Sequence, residues 1–264
     1  MTFALTDRMD NQTTPELTDG PFAYQPPVLQ AVCLDIDDTL VDFSSAARAA
    51  LVELVGAADR WERWVAITDE YVARVVAGEV SYPAMHACRT RDFLAEQGIT
   101  VDAARAEELE ARRKATMRRS WGLFADVLPC LEWLRAAGVR IAAVTNASGQ
   151  HQRGKLASLG LAEFIDQVVI AGEVGSAKPD PAIFHEACRV LDVQPGNAAH
   201  VGDKLELDAI GARDAGLCGV WLDRAGLQQP VPRGVQVIDS LAELPELLVC
   251  EFAAIAPVGS AGAR

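Results

Sequence analysis

Six short runs in this chain are apolar through both odd and even positions. They occupy residues 29–35 (LQAVCLD), 139–145 (VRIAAVT), 167–171 (QVVIA), 199–203 (AHVGD), 219–222 (GVWL) and, more weakly, 235–238. Each is too short for a helix, and most are rich in Val and Ile. A strand with one wet face alternates apolar and polar residues, whereas a strand covered on both faces does not. Buried strands separated by helical segments predict an α/β fold: a doubly wound, Rossmann-like parallel sheet with helices on both faces.

The segments between the runs read as helices. Residues 129–137 place Leu131 and Leu134 on one face, with Pro129 near the start and Gly138 past the end. Ser148 reads as the cap of a helix running to Leu159. Asp180 and Pro181 form an N-cap and a first-turn proline, followed by the stripe Ile183, Phe184, Ala187, Cys188 and Leu191.

The alternation breaks once. Residues 44–121 carry no strand pattern and instead suggest four helices. These start near Ser44 or Ser45, cover 61–77 up to Gly78, start near Ser81 and stop before Gly98, and cover 102–119. An all-helical block inserted after the first strand is expected to form a second, smaller domain. The 264 residues thus divide into a core of 28–43 and 122–254, a helical cap of 44–121, a flexible extension of 1–27 and a flexible tail of 255–264.

Net charge narrows the partners. With 24 basic and 37 acidic residues the chain carries −13, which repels nucleic-acid polymers and anionic membranes. No run of about 18 apolar residues exists to span a bilayer, and no secretory leader is evident. The 6 cysteines are scattered without a C-x-x-C, as expected of reduced, buried thiols in a cytoplasmic protein. A monomer and a homodimer are both compatible with this composition.

In an open parallel sheet the ligand sits beyond the carboxyl ends of the strands. The first strand ends in Asp35, followed by Asp37, Asp38 and Thr39. The second ends in Thr145 and Asn146. The fourth ends in Gly202 and Asp203, with Asp208 further on, and Lys178 lies after the third. Several carboxylates in one place need a cation. Asp35 and Asp203 suit a hard ion with oxygen ligands, above all Mg²⁺, and no Cys or His joins them to favour zinc. Metal, ammonium and hydroxyl groups together suit a phosphate. A carboxylate there can attack phosphorus, and an acid two residues on can protonate the leaving oxygen and then activate water.

These residues resemble the haloacid dehalogenase superfamily, in the subfamily with a helical cap after the first strand. The family's D-x-D-x-T-L matches Asp35, Asp37, Thr39 and Leu40. Its threonine after an apolar strand matches Thr145, followed by Asn146. The lysine in a K-P-x-P-x-I-F context matches residues 178–184 (KPDPAIF). G-D-x-x-x-x-D matches Gly202, Asp203 and Asp208, and G-A-x-x-A-G matches residues 211–216.

The resemblance implies a Mg²⁺-dependent phosphatase acting on a small phosphorylated metabolite. Asp35 would be the nucleophile and a metal ligand. Asp37 would be the general acid/base, with its main-chain carbonyl on the metal. Thr145 and Asn146 would hold the phosphoryl group, and Lys178 would stabilise it and Asp35. Asp203 would ligate Mg²⁺, and Asp208 would support the metal through water or orient Lys178. A phosphomutase, a 2-haloacid dehalogenase and a non-catalytic phosphate-binding module are the alternatives. A dehalogenase attacks carbon and has no need of Asp37.

Other groups read as structural. Thr39 is expected to hydrogen-bond locally and orient Asp37. His200 sits inside a strand, and His86 lies on a cap helix. The basic run Arg112, Arg113, Lys114, Arg118 and Arg119 reads first as a solvated face paired with Glu107, Glu108 and Glu110, and second as an attractor of an anionic substrate. Trp61, Trp64 and Trp121 read as cap core or hinge packing, and secondarily as a substrate wall.

Overall fold

The computed structural model describes residues 27–256 except 57, 58 and 148. The expectations for the two chain ends beyond those limits, and for Ser148 as a helix cap, lie outside the described residues. Strands β1 (Val28–Leu29) and β2 (Ala31–Leu34) come first. Four helices follow: α1 (Phe43–Val55), α2 (Trp61–Val76), α3 (Tyr82–Glu96) and α4 (Ala103–Arg119). Next are α5 (Val127–Ala136), β3 (Arg140–Thr145), α6 (Gly149–Ser158), β4 (Gln167–Ile170), α7 (Ala171–Val174), α8 (Pro181–Val190) and β5 (Ala198–Gly202). A π-helical segment (Leu205–Ile210) leads into α9 (Gly211–Asp214), β6 (Cys218–Leu222), β7 (Val235–Ile238), α10 (Leu244–Glu251) and β8 (Ala254–Ile255).

The main sheet has the order β4-β3-β2-β5-β6-β7, and every pairing is parallel. Its central strands explain the runs without alternation. In β2, Val32 and Leu34 point to the face covered by α5 and α10, beside Leu131, Leu134 and Leu248. Ala31 and Cys33 point to the other face, beside Ile183, Phe184 and Ala187 of α8. Both faces are dry, so neither parity tolerates a polar residue. The expected first strand is broken in one place. Leu29 pairs with Ile255 in a separate two-stranded sheet, and β2 enters the main sheet only at Ala31. Ile255, assigned by the sequence to the tail, is therefore a strand residue, and the Ala256 amide donates to the Leu29 carbonyl.

The helical block folds as a cap with its own core. Leu51, Trp64, Ile67, Tyr71, Met85 and Phe93 pack together, with Trp64 and Phe93 edge to face at 5.0 Å. Local signals set the helix ends. Asp42 accepts from the Ser45 amide at 3.1 Å, Ser81 from Ala84, and Asp102 from Arg105 at 2.8 Å. The cap joins the core through two chain segments running side by side. Val41 bridges Leu123 antiparallel, and the Asp42 amide donates to the Gly122 carbonyl at 2.9 Å. All 6 cysteines are free, and Cys250 is exposed rather than buried. Among the described residues, no helix is long and apolar enough to cross a membrane.

The turn of chain carrying Asp208 lies directly on β6. A Cβ at Gly219 would stand 2.0 Å from the Ala209 carbonyl oxygen, inside any allowed contact. Gly219→Ala should therefore lower the free energy of unfolding by about 1–3 kcal/mol. The check is the denaturant midpoint, which should fall with little change in slope; an unmoved midpoint would show that the π-helical segment yields freely.

Candidate active site

The sheet order sets β3, β2 and β5 side by side. Their carboxyl ends deliver Thr145, Asp35 and Asp203 to one edge, and the loop before α8 brings Lys178 over them. A cavity of about 560 Å³ opens there, lined on the core side by Asp35, Asp37, Thr145, Asn146, Lys178, Asp203 and Asp208. Every site residue expected from the sequence reaches this one cavity, though not each in the role expected.

Lys178 is the hub. It is 5% exposed. Its Nζ donates to Asp35 Oδ1 at 2.5 Å, Asp208 Oδ1 at 2.6 Å and the Val144 carbonyl at 3.1 Å. Burial disfavours its charge, but the two carboxylates reverse that and hold the ammonium above its usual range. Asp35 is pushed up to about 8: burial is the largest cause and outweighs the lowering by Lys178, and the Asp208 and Asp203 carboxylates add to the rise. One ammonium, Lys178, serves the two buried carboxylates Asp35 and Asp208, while the partly buried Asp203 pairs with Lys204 Nζ at 2.8 Å, which leaves the nucleophile candidate short of positive charge.

Asp208 has both carboxylate oxygens engaged. Oδ1 meets Lys178 and, at 3.1 Å, His200 Nε2; Oδ2 accepts from the Lys204 amide at 3.0 Å. Burial opposes its charge, yet Lys178 and His200 hold the carboxyl below the ordinary range. An ionised carboxylate only accepts, so the neutral His200 carries its hydrogen on Nε2. Of the two roles expected for Asp208, support of a metal through water and the orienting of Lys178, these contacts favour the second. Gly202 makes this close approach possible, since a Cβ there would meet Asp208 Cγ at 2.2 Å.

Asn146 lines the cavity and also braces Lys178. Its amide clamps the Lys178 backbone, accepting from the Lys178 amide at 2.8 Å and donating to its carbonyl at 3.0 Å. Thr145 Oγ1 faces the cavity and accepts from the Ala147 amide at 3.1 Å. The Thr39 hydroxyl, expected to bond locally, is buried and finds no partner among the described residues.

Asp37 is held by two residues that the sequence reading missed. Lys155 Nζ makes an ion pair with its Oδ1, and Gln152 Nε2 donates to its Oδ2 at 2.8 Å. Both side chains are buried, and Lys155 also lies over the rings of Phe43 and Trp121 at 5.1 and 5.2 Å. The available signal was a Q-x-x-K spacing on α6, the helix that follows Thr145, which puts both side chains on one helix face.

The residues fit a divalent cation. Asp35 and Asp203 present hard oxygen donors at adjoining strand ends, and burial followed by neighbouring carboxylates raises the pKa of both. Among the described residues, no three acidic, His or Cys side chains stand preassembled around one point. Asp208 is committed elsewhere, so Asp35, Asp203 and a main-chain oxygen are the donors this edge offers.

The basic run divides between the two expected readings: Arg112 and Arg119 are exposed and do not line the cavity, whereas its other members reach the cap wall. Arg113, Lys114 and Arg118 line the cavity, joined by Arg89, His86, Trp61, Trp64 and Tyr82. Only Glu110 of the three expected acids pairs with the run. Glu108 pairs with Arg105 instead.

Comparison with known proteins agrees with this geometry. The sequence model of the haloacid dehalogenase-like hydrolases matches residues 29–216. N-acylneuraminate-9-phosphatase of Homo sapiens is 32% identical over 236 residues, spanning 83% of this chain and 94% of that one. Glyceraldehyde 3-phosphate phosphatase of Methanopyrus kandleri is 32% identical over 211 residues, spanning 78% and 89%. In fold the chain is similar to the magnesium-bound HAD-hydrolase YfnB of Bacillus subtilis, with a TM-score of 0.69 at 22% identity over 84% of this chain and 99% of that one. The ordered motifs, the capped parallel sheet and the length of the match place the chain in the haloacid dehalogenase-like hydrolase family.

Proposed function

We propose that the protein is a Mg²⁺-dependent phosphatase that hydrolyses a small phosphorylated metabolite through an aspartyl-phosphate on Asp35. The observation that carries this reading is a pair of carboxylates, two residues apart, in unlike surroundings: Asp35 is buried on Lys178, whereas Asp37 faces the cavity between Lys155 and Gln152. Two acids separated in environment are the pattern of a nucleophile and its proton-transfer partner. The relatives named above are both phosphatases by name.

In the first step an Asp35 oxygen bonds to phosphorus, the P–O bond to the alcohol breaks, and Asp37 gives its proton to the departing oxygen. In the second, Asp37 takes a proton from water, whose oxygen bonds to phosphorus as the Asp35–phosphorus bond breaks. Inorganic phosphate leaves and both carboxyls return to their starting states. Lys178 holds Asp35 in line and faces the phosphoryl oxygens, and the Thr145 hydroxyl supplies a further donor. Mg²⁺, held by Asp35, Asp203 and the Asp37 carbonyl, would neutralise phosphoryl oxygens and offset the crowded carboxylates. The cap covers the cavity, excludes bulk water and selects the alcohol.

With Mg²⁺ and an aryl phosphate as substrate, Asp35→Asn should reduce phosphate release by at least about 10³-fold. Retained release would sink the mechanism. Formation of an isomerised sugar phosphate without free phosphate would instead reveal a mutase, and halide release from a 2-haloacid a dehalogenase. Asp203→Asn should raise the Mg²⁺ concentration giving half-maximal rate by at least about tenfold, measured by titrating Mg²⁺ into chelator-treated protein. Lys155 positions Asp37 rather than touching substrate. Lys155→Met should therefore lower kcat by about 10²-fold or more while leaving KM nearly unchanged, and Lys155→Arg should recover part of the loss. A change confined to KM would reassign Lys155 to substrate binding.

A further inference from the structure

The catalytic motifs account for the core wall of the cavity and leave the cap wall without a task. That wall is cationic in an acidic chain. Arg89, Arg113, Lys114 and Arg118 line it, with Asp69 the one acidic residue on that wall among the described residues. Behind the cluster lies Glu110, 3% exposed. Arg113 binds it through Nε and Nη2, both at 2.8 Å, Arg89 Nη2 reaches it at 3.2 Å, and Lys114 Nζ stands 3.8 Å away. One carboxylate is thus shared by three cations, so positive charge is left over.

The surplus has unmet donors. Arg89 is only 4% exposed, and its Nε finds no acceptor among the described residues. His86 Nδ1 is likewise without a partner, 4.0 Å from Glu110. Burial, followed by the nearby Lys114 and Arg89 charges, pushes His86 down to about 4, as expected of an imidazole in an under-neutralised positive pocket. Two guanidinium groups, of Arg89 and Arg113, stack on the Trp64 ring at 4.1 and 5.0 Å from its centroid, which fixes their planes. Buried, oriented guanidinium groups with spare N–H donors suit an anion, and a planar carboxylate matches their fork. The surrounding Trp61, Val65 and Met117 are poor company for the more heavily hydrated charge of a second phosphate.

We propose that the Arg89–Arg113–Lys114 cluster is a subsite for a carboxylate on the leaving group, so that the substrates are phosphomonoesters of hydroxy acids. This rests on the phosphatase reading for the other end of the cavity. The cluster lies on the cap helices and the phosphoryl-transfer residues on the strand ends, so an extended acid phosphate would bridge cap and core.

Binding separates this inference from turnover. Asp35→Asn protein with Mg²⁺ is titrated calorimetrically with two matched pairs: 6-phosphogluconate against glucitol 6-phosphate, and phosphoserine against phosphoethanolamine. Within at least one pair the acid should bind about tenfold or more tighter, the worth of one charge-assisted hydrogen bond. Adding Lys114→Met, at a partly exposed position outside the buried cap core, should shrink that ratio by about threefold or more. Arg113→Met should shrink it further, with circular dichroism confirming that the helices persist. Equal affinities within both pairs, no binding at all, or tighter binding of glucose 1,6-bisphosphate than of either acid would overturn the carboxylate subsite. An acid preference in a native protein that releases no phosphate would keep the subsite and overturn the phosphatase reading.

Discussion

A single buried ammonium holds the active edge of this molecule together. Without Lys178, the Asp35 and Asp208 carboxylates would lie side by side in a dry setting, where like charges repel strongly and one must take up a proton. With it, a loop, the end of β2, the end of β3 through the Val144 carbonyl, and the π-helical segment meet at one atom. Much of the surrounding sequence serves that contact. Asn146 pins the lysine backbone, His200 and the Lys204 amide pin Asp208, and Gly202 withholds a side chain so that Asp208 can approach. The arrangement stays deficient in positive charge around Asp35, which is the electrostatic condition for recruiting a divalent ion.

The fold was legible because burial on both faces leaves a mark that local sequence cannot disguise. Val32 and Leu34 serve one face and Ala31 and Cys33 the other, so the run reads as a central strand before any partner is known. Caps were legible for the same local reason: Asp42, Ser81, Asp102 and Asp180 each accept from an amide two or three residues ahead. The division of strand 29–35 between two sheets was not legible, because it depends on Ala254 and Ile255, more than two hundred residues away. At the site, residue types at strand ends pointed to side chains that the fold brings to one cavity. What they could not convey was which hydrogen bonds each side chain had left to offer. Asn146 and Asp208 are engaged by Lys178, some thirty residues from each, and Lys155 and Gln152 meet Asp37 across more than a hundred residues.

The cap departs from a simple apolar bundle. Its interior holds Arg89, Thr90, Glu110, Arg113 and Thr116, all buried, beside the Trp64–Phe93 core. Buried ion pairs contribute little net stability, because desolvation offsets much of the attraction. Their cost is understandable if they orient groups toward a ligand. Glu110 then acts as a frame that holds Arg89 and Arg113 at fixed angles on Trp64, whatever else it contributes to folding.

Val41 has a further consequence. It bridges Asp37 on one side and Leu123 on the other, so the turn bearing Asp37 and the paired linkers of the cap form one continuous hydrogen-bonded strip. Lys155 repeats the connection from the core side, holding Asp37 while lying over Phe43 and Trp121, which flank those linkers. The strip ties the backbone at Asp37 directly to the linkers that carry the cap. On the proposed mechanism, the acid that serves the leaving group is anchored to the same strip that seats the cap above it.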